Sequence, residues 1–77
     1  MEITLIAMPK RPYALMVSTK QDLPELPEKG AEINIKELDH FVKVHAVKPE
    51  NRVEFIVEAH EVAFLRRRGW QNYDRYD

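Results

Sequence analysis

Three histidines, His40, His45 and His60, carry the most versatile chemistry in this 77-residue chain, because imidazole is the commonest zinc ligand and titrates near neutrality. Their spacing works against a shared metal. If residues 40–47 pair with 52–61 as a hairpin, His45 stands opposite Glu54 and His60 lies six residues further along that strand. At about 3.3 Å per residue the two imidazoles are then roughly 20 Å apart, far beyond a common ion, so no metal site is expected. A pH-sensitive pair of His45 with Glu54 is the expected by-product. Nucleophilic catalysis has little to work with: there is no cysteine, and the one serine, Ser18, sits in an apolar run with no glycine-framed elbow. Gly30 and Gly69 are the only glycines and stand apart, which rules out a phosphate-cradling glycine loop. Neither catalysis nor a cofactor is expected.

One cluster points to binding. Arg66, Arg67, Arg68, Trp70, Tyr73, Arg75 and Tyr76 combine cations for phosphate with flat rings for stacking unpaired bases, and Lys10, Arg11 and Tyr13 would join if the first turn lies nearby. Each residue also has an ordinary role. Arginines in a last helical turn complement the helix dipole, Trp70 can close a core, and Glu61, Asp74 and Asp77 dilute the positive potential. Arg, Trp and Tyr dominate protein interfaces as well. We therefore expect a non-catalytic module that binds a protein partner, with Arg66, Arg67, Arg68, Trp70 and Tyr73 as contact residues. Nucleic-acid binding through the same cluster is the alternative.

The elements that must position these residues follow from alternation. Pairing residues whose numbers sum to 99 across Lys48-Pro49-Glu50-Asn51 sets Ala46 against Val53, Val44 against Phe55 and Val42 against Val57, an apolar face. The other face carries Phe41 opposite Glu58, Lys43 opposite Ile56 and His45 opposite Glu54, and Phe41, Val42, Val44, Val53, Phe55 and Val57 are assigned to the scaffold. Glu2 to Met8 reads as a strand ended by Pro9; Tyr13 to Thr19 reads as a second, and the two can form another hairpin. Gln21 to Gly30, with Pro24 and Pro27, is a stiff connection, and Ala31 to Ile35 alternates again before a turn at Lys36 to Asp39. Ala59 to Arg68 fits a helix whose Ala59, Val62, Ala63 and Arg66 share a face; the alternative is that the hairpin strand runs on through Phe64, and the punctuation favours the helix. With Arg68 as C-cap, Gly69 falls at C′ and Trp70 at C″, the positions of a Schellman ending, although no Ser, Thr, Asp or Asn caps the start near Glu58. Residues 1–70 thus form one domain and 71–77 a polar, aromatic tail.

Leu26-Pro-Glu-Lys-Gly-Ala-Glu-Ile-Asn-Ile35, then Phe41-Val-Lys-Val-His-Ala-Val47, a turn, and Val53-Glu-Phe-Ile-Val-Glu58 make a strand-and-turn order that is similar to small SH3-like barrels. The expected class is mainly β (α+β): an antiparallel meander or partly open SH3-like barrel of about five strands with a short C-terminal helix. A chain this short buries only about 60% of its unfolded surface; with no cysteine to staple it, self-association as a homodimer is a reasonable support. Net charge is −1, from twelve basic and thirteen acidic residues, so any polyanion contact must be local. The first residues lack a cationic start, and no stretch reaches the roughly 18 apolar residues of a membrane span. A soluble, cytoplasmic accessory or inhibitor-type protein, in the style of bacteria and their phages, is the expectation.

Overall fold

The alternation of Ile3, Leu5 and Ala7 with Thr4, Ile6 and Met8 is realised as the first strand, β1 (Glu2–Pro9). The computed structural model describes residues 1–11 and 14–74. It continues with β2 (Met16–Asp22), β3 (Glu32–Asn34), β4 (Phe41–Lys48), β5 (Arg52–Val57), the helix α1 (Ala59–Arg67) and β6 (Gln71–Tyr73). These strands form one six-stranded sheet in the order β3-β4-β5-β1-β2-β6. The sheet is open, and the small β-rich α+β class read from the sequence is the class of the fold.

Connectivity departs from a meander. β1 lies between β2, its antiparallel hairpin partner, and β5, with which it pairs in parallel from Thr4↔Arg52 to Pro9↔Val57. Ile3, Leu5 and Ala7 are buried in the core cluster, and Ile6, which points to the opposite face of this central strand, is buried outside it. β2 runs past Thr19 to Asp22, where the amino terminus pairs with Asp22 Oδ1 at 2.9 Å and the Leu23 N–H donates to Met1 O at 2.9 Å. The 71–73 stretch, assigned to a tail by composition, pairs with β2 and forms the far edge of the sheet.

The central hairpin follows the expected register only in part. Val44 does face Phe55, but beyond a bulge between Val44 and Ala46 the partners become Ala46↔Glu54, Val47↔Val53 and Lys48↔Arg52. Glu50 and Asn51 adopt positive φ (67° and 57°) in a three-residue loop, with Arg52 Nε donating to Pro49 O at 2.9 Å. The slip turns Val47 toward the core in place of Ala46, so the larger side chain packs against the buried cluster. Two expected pairs, Ala46 with Val53 and His45 with Glu54, are therefore replaced. Phe41, assigned to the scaffold, is 62% exposed because it points to the face away from the core.

Core packing lies on one face, where Ile3, Leu5, Ala7, Val17, Val42, Val44, Val53, Phe55 and Val57 meet Val62 and Leu65 of α1 and Trp70. The buried stripe of the helix is thus Val62 with Leu65; Ala59 and Arg66, expected on that stripe, are exposed. The end of the helix forms as its residues dictate: the Trp70 N–H donates to Leu65 O (3.1 Å), the Gly69 N–H to Arg66 O (3.2 Å), and Gly69 takes φ 105°. At the start, the Glu58 N–H donates to Glu61 Oε1 at 3.0 Å, so a residue three positions inside the helix supplies the capping acceptor.

Candidate functional site

The arginine and aromatic cluster does not assemble into one surface. Trp70 is 3% exposed: its ring meets Phe55 edge-on at 6.2 Å, and its Nε1–H donates to Glu37 Oε2 at 2.8 Å. It closes the core and offers no face to a ligand. Tyr73 lies on the sheet face away from the helix, where its hydroxyl accepts from Arg52 Nη1 at 3.1 Å across the intervening β1 and β2. Arg66 Nε donates to Asn72 Oδ1 at 2.9 Å, and the Arg68 guanidinium stands 5.0 Å from the centroid of the Phe64 ring. Arg67 is exposed. Lys10, proposed to join the cluster, is paired with Glu58, whose hydrogen bond and charge raise its pKa. Tyr13, Arg75 and Tyr76 lie outside the described residues.

The histidines are equally dispersed. His45 is the bulged residue of β4, His60 is exposed in the first turn of α1, and His40 precedes β4. Among the described residues no three of His, Asp or Glu converge. The pH-sensitive pair exists, with different members. His40 Nε2 bonds Glu61 Oε2 at 2.5 Å while its Nδ1 bonds Phe41 O at 3.0 Å. Both partners are acceptors, so the ring satisfies both contacts only as the imidazolium. The Glu61 bond, helped by the Phe41 carbonyl, holds the His40 pKa above its usual value. Partial burial pushes Glu61 upward, but the His40 bond and the Glu58 N–H outweigh it and leave the carboxyl below its usual range. Ser18 borders a cleft with Thr4, Thr19, Lys20, Gly69 and Gln71, a lining that among the described residues has no histidine or carboxylate to take its proton.

What the fold does assemble is a cleft of about 540 Å³ beside the terminal strand β3, between residues 23–28 and 31–33. Leu23, Leu26 and Ile33 reach it from the margin of the core, and among the described residues Glu25, Glu28 and Glu32 supply its charges. Pro24 and Pro27 stiffen one wall, and the Ala31 N–H bonds Glu28 O at 3.0 Å to close the turn between the walls. Among the described residues β3 pairs with β4 alone, so its other edge carries no ladder there. This surface escaped the sequence because Gln21 to Gly30 reads as a mere connection. The available signal was the apolar and acidic interleaving of Leu23, Glu25, Leu26, Glu28, Glu32 and Ile33.

No protein-family model, no curated protein and no solved structure matches the chain. No helix among the described residues is long and apolar enough to cross a membrane.

Proposed function

We propose that the chain is a non-catalytic binding module that takes an extended, cationic segment of a protein partner into the acidic cleft beside β3. The observation that carries this reading is the coincidence of three carboxylates, an apolar floor and an unladdered strand edge in one cleft. A strand edge offers main-chain hydrogen bonds to an extended peptide, and alternate side chains of that peptide select the pockets beside it. Lysines or arginines at alternate positions would meet Glu25, Glu28 and Glu32, while apolar residues between them would cover Leu26 and Ile33. Because β3 has three residues, the pairing is short and the affinity modest. The helix-end arginines carry less of the argument, since Trp70 is withdrawn from any stacking role.

A fluorescein-labelled peptide alternating lysine and valine, titrated by anisotropy at low and moderate salt, tests the proposal. Binding is expected at low salt, and a glutamate-for-lysine peptide should not bind. Exposed ion pairs contribute about 0.5 kcal/mol each, so the combined E25Q/E28Q/E32Q variant should bind roughly tenfold more weakly. Affinity that ignores these three substitutions, or no binding at low salt, would overturn the assignment.

A further inference from the structure

A second cleft of opposite charge lies on the other side of the same turn. Gly30, at φ 88°, lets residues 28–31 dock against β4: the Gly30 N–H donates to Val44 O at 2.9 Å, and the Val44 N–H donates to Ala31 O at 2.8 Å. The contact falls directly beside the bulge at His45. Bulges re-aim the side chains around them, and here the result is a cleft of about 460 Å³ lined by Lys29, Gly30, Lys43, Val44, His45 and Ile56. Lys29 and Lys43 are fourteen positions apart and meet only through this docking. Among the described residues the lining contains no carboxylate. Glu32 stands across from Lys43 in the ladder, yet among the described residues neither Lys43 nor Lys29 makes a salt bridge. Two ammonium groups outside any salt bridge and an imidazole line one cleft, with Glu32 beside Lys43 as the neighbouring carboxylate, and on a chain of net charge −1 they form a local site for an anion.

The neighbouring residues narrow the ligand. Phe41 shares the outward face of β4 with Lys43, two residues or about 7 Å away along the strand, and exposes 62% of its surface; Ile56 on β5 exposes 41%. A free phosphate would gain nothing from a bare phenyl ring. An unpaired base would stack on it, whereas a duplex keeps its base faces to itself. We infer that this face of β4 and β5 binds single-stranded nucleic acid, with Lys29, Lys43 and His45 on the phosphates and Phe41 beneath a base.

The test is an anisotropy titration of a labelled oligothymidylate of about 12 nucleotides, a length within the usual span of single-strand sites, over a series of salt concentrations. With two lysines on phosphates, log K should fall against log salt with a slope near −1.4, at about −0.7 per neutralised phosphate. The K29A/K43A variant should flatten that slope, and F41A should weaken binding about tenfold or more by loss of one stacked base. All three positions are outside the core, so thermal melts of these variants should match the parent. Retained binding in R66A/R67A/R68A supports the cleft; loss there, with K29A/K43A unaffected, would move the site to the helix end and overturn the inference. Equal affinity for the matching duplex with no effect of F41A would overturn it too, as would absence of binding at low salt. The E25Q/E28Q/E32Q variant should still bind the oligonucleotide, so this result and the peptide result stand or fall separately.

Discussion

Trp70 sits where the helix, the sheet and the loop before β4 converge, and its two kinds of contact can be separated by substitution. Its ring fills core space against Phe55, while its N–H reaches the Glu37 carboxylate. Trp70→Phe keeps most of the apolar volume and removes the donor; a hydrogen bond to a charged group contributes about 1.5–3 kcal/mol, and partial exposure of this one puts the expected loss at about 1–2 kcal/mol. Trp70→Ala removes both and should cost about 3–5 kcal/mol. A domain of this length has a total stability of about 4–12 kcal/mol, so the alanine variant should be substantially unfolded in mild urea. Urea denaturation of the two variants checks this; an unmoved midpoint for Trp70→Phe would show that water takes the place of the indole N–H at Glu37 without loss.

At the scale of elements, the segment between β3 and β4 is fastened twice, by Glu37 to Trp70 just beyond the end of α1 and by His40 to Glu61 within it. The second fastening is pH-dependent. His40 has a raised pKa in the fold, so its contribution is complete below its unfolded value near 6.5 and disappears as pH rises through the raised value. Glu61 has a lowered one, so its contribution is complete above 4.5 and disappears as pH falls through the lowered value. Among the described residues the groups facing this pair are Asp39 and the Phe41 carbonyl beside His40, and the Glu58 N–H, His60 and Lys10 beside Glu61. The melting temperature of the parent relative to His40→Gln should be highest between about pH 4.5 and 6.5 and converge at alkaline pH. A difference that stays constant across that range would mean the contact adds nothing in solution. The same elements show what could be read in advance. Arg68-Gly69-Trp70 specified the helix ending because a left-handed glycine followed by an apolar residue has few other uses, and Val44 against Phe55 was fixed by alternation. The bulge was hidden because one inserted residue changes no composition, only which of Ala46 and Val47 turns inward. β1 beside β5 was hidden because parallel partners almost fifty residues apart share no local turn. The clefts beside β3 depend on Gly30 docking against Val44, a tertiary contact that no spacing announces.

For the whole molecule, the radius of gyration is 11.4 Å, against about 11.5 Å for a compact chain of this length. A single sheet with one short helix thus reaches ordinary compactness without a second subunit. Its two edges, β3 and β6, are three residues each, and short edges limit pairing between copies. Self-association is therefore expected to be weak: sedimentation should give the 9.1 kDa monomer when dilute and a rising average mass from tens of micromolar upward, as mass action requires. A constant mass at all concentrations would refute it. The seat of β1 between β2 and β5 also has a consequence for biosynthesis. β1 and β2 are synthesised before either of their outer partners: the flank of β1 waits for Val57, 35 residues after Asp22, and the flank of β2 waits longer still, for β6. At roughly 5–20 residues per second the wait is about 2–7 s. During it Ile3, Leu5 and Ala7 present an uncovered strand to whatever else is nascent, which makes β1 a segment in need of a chaperone.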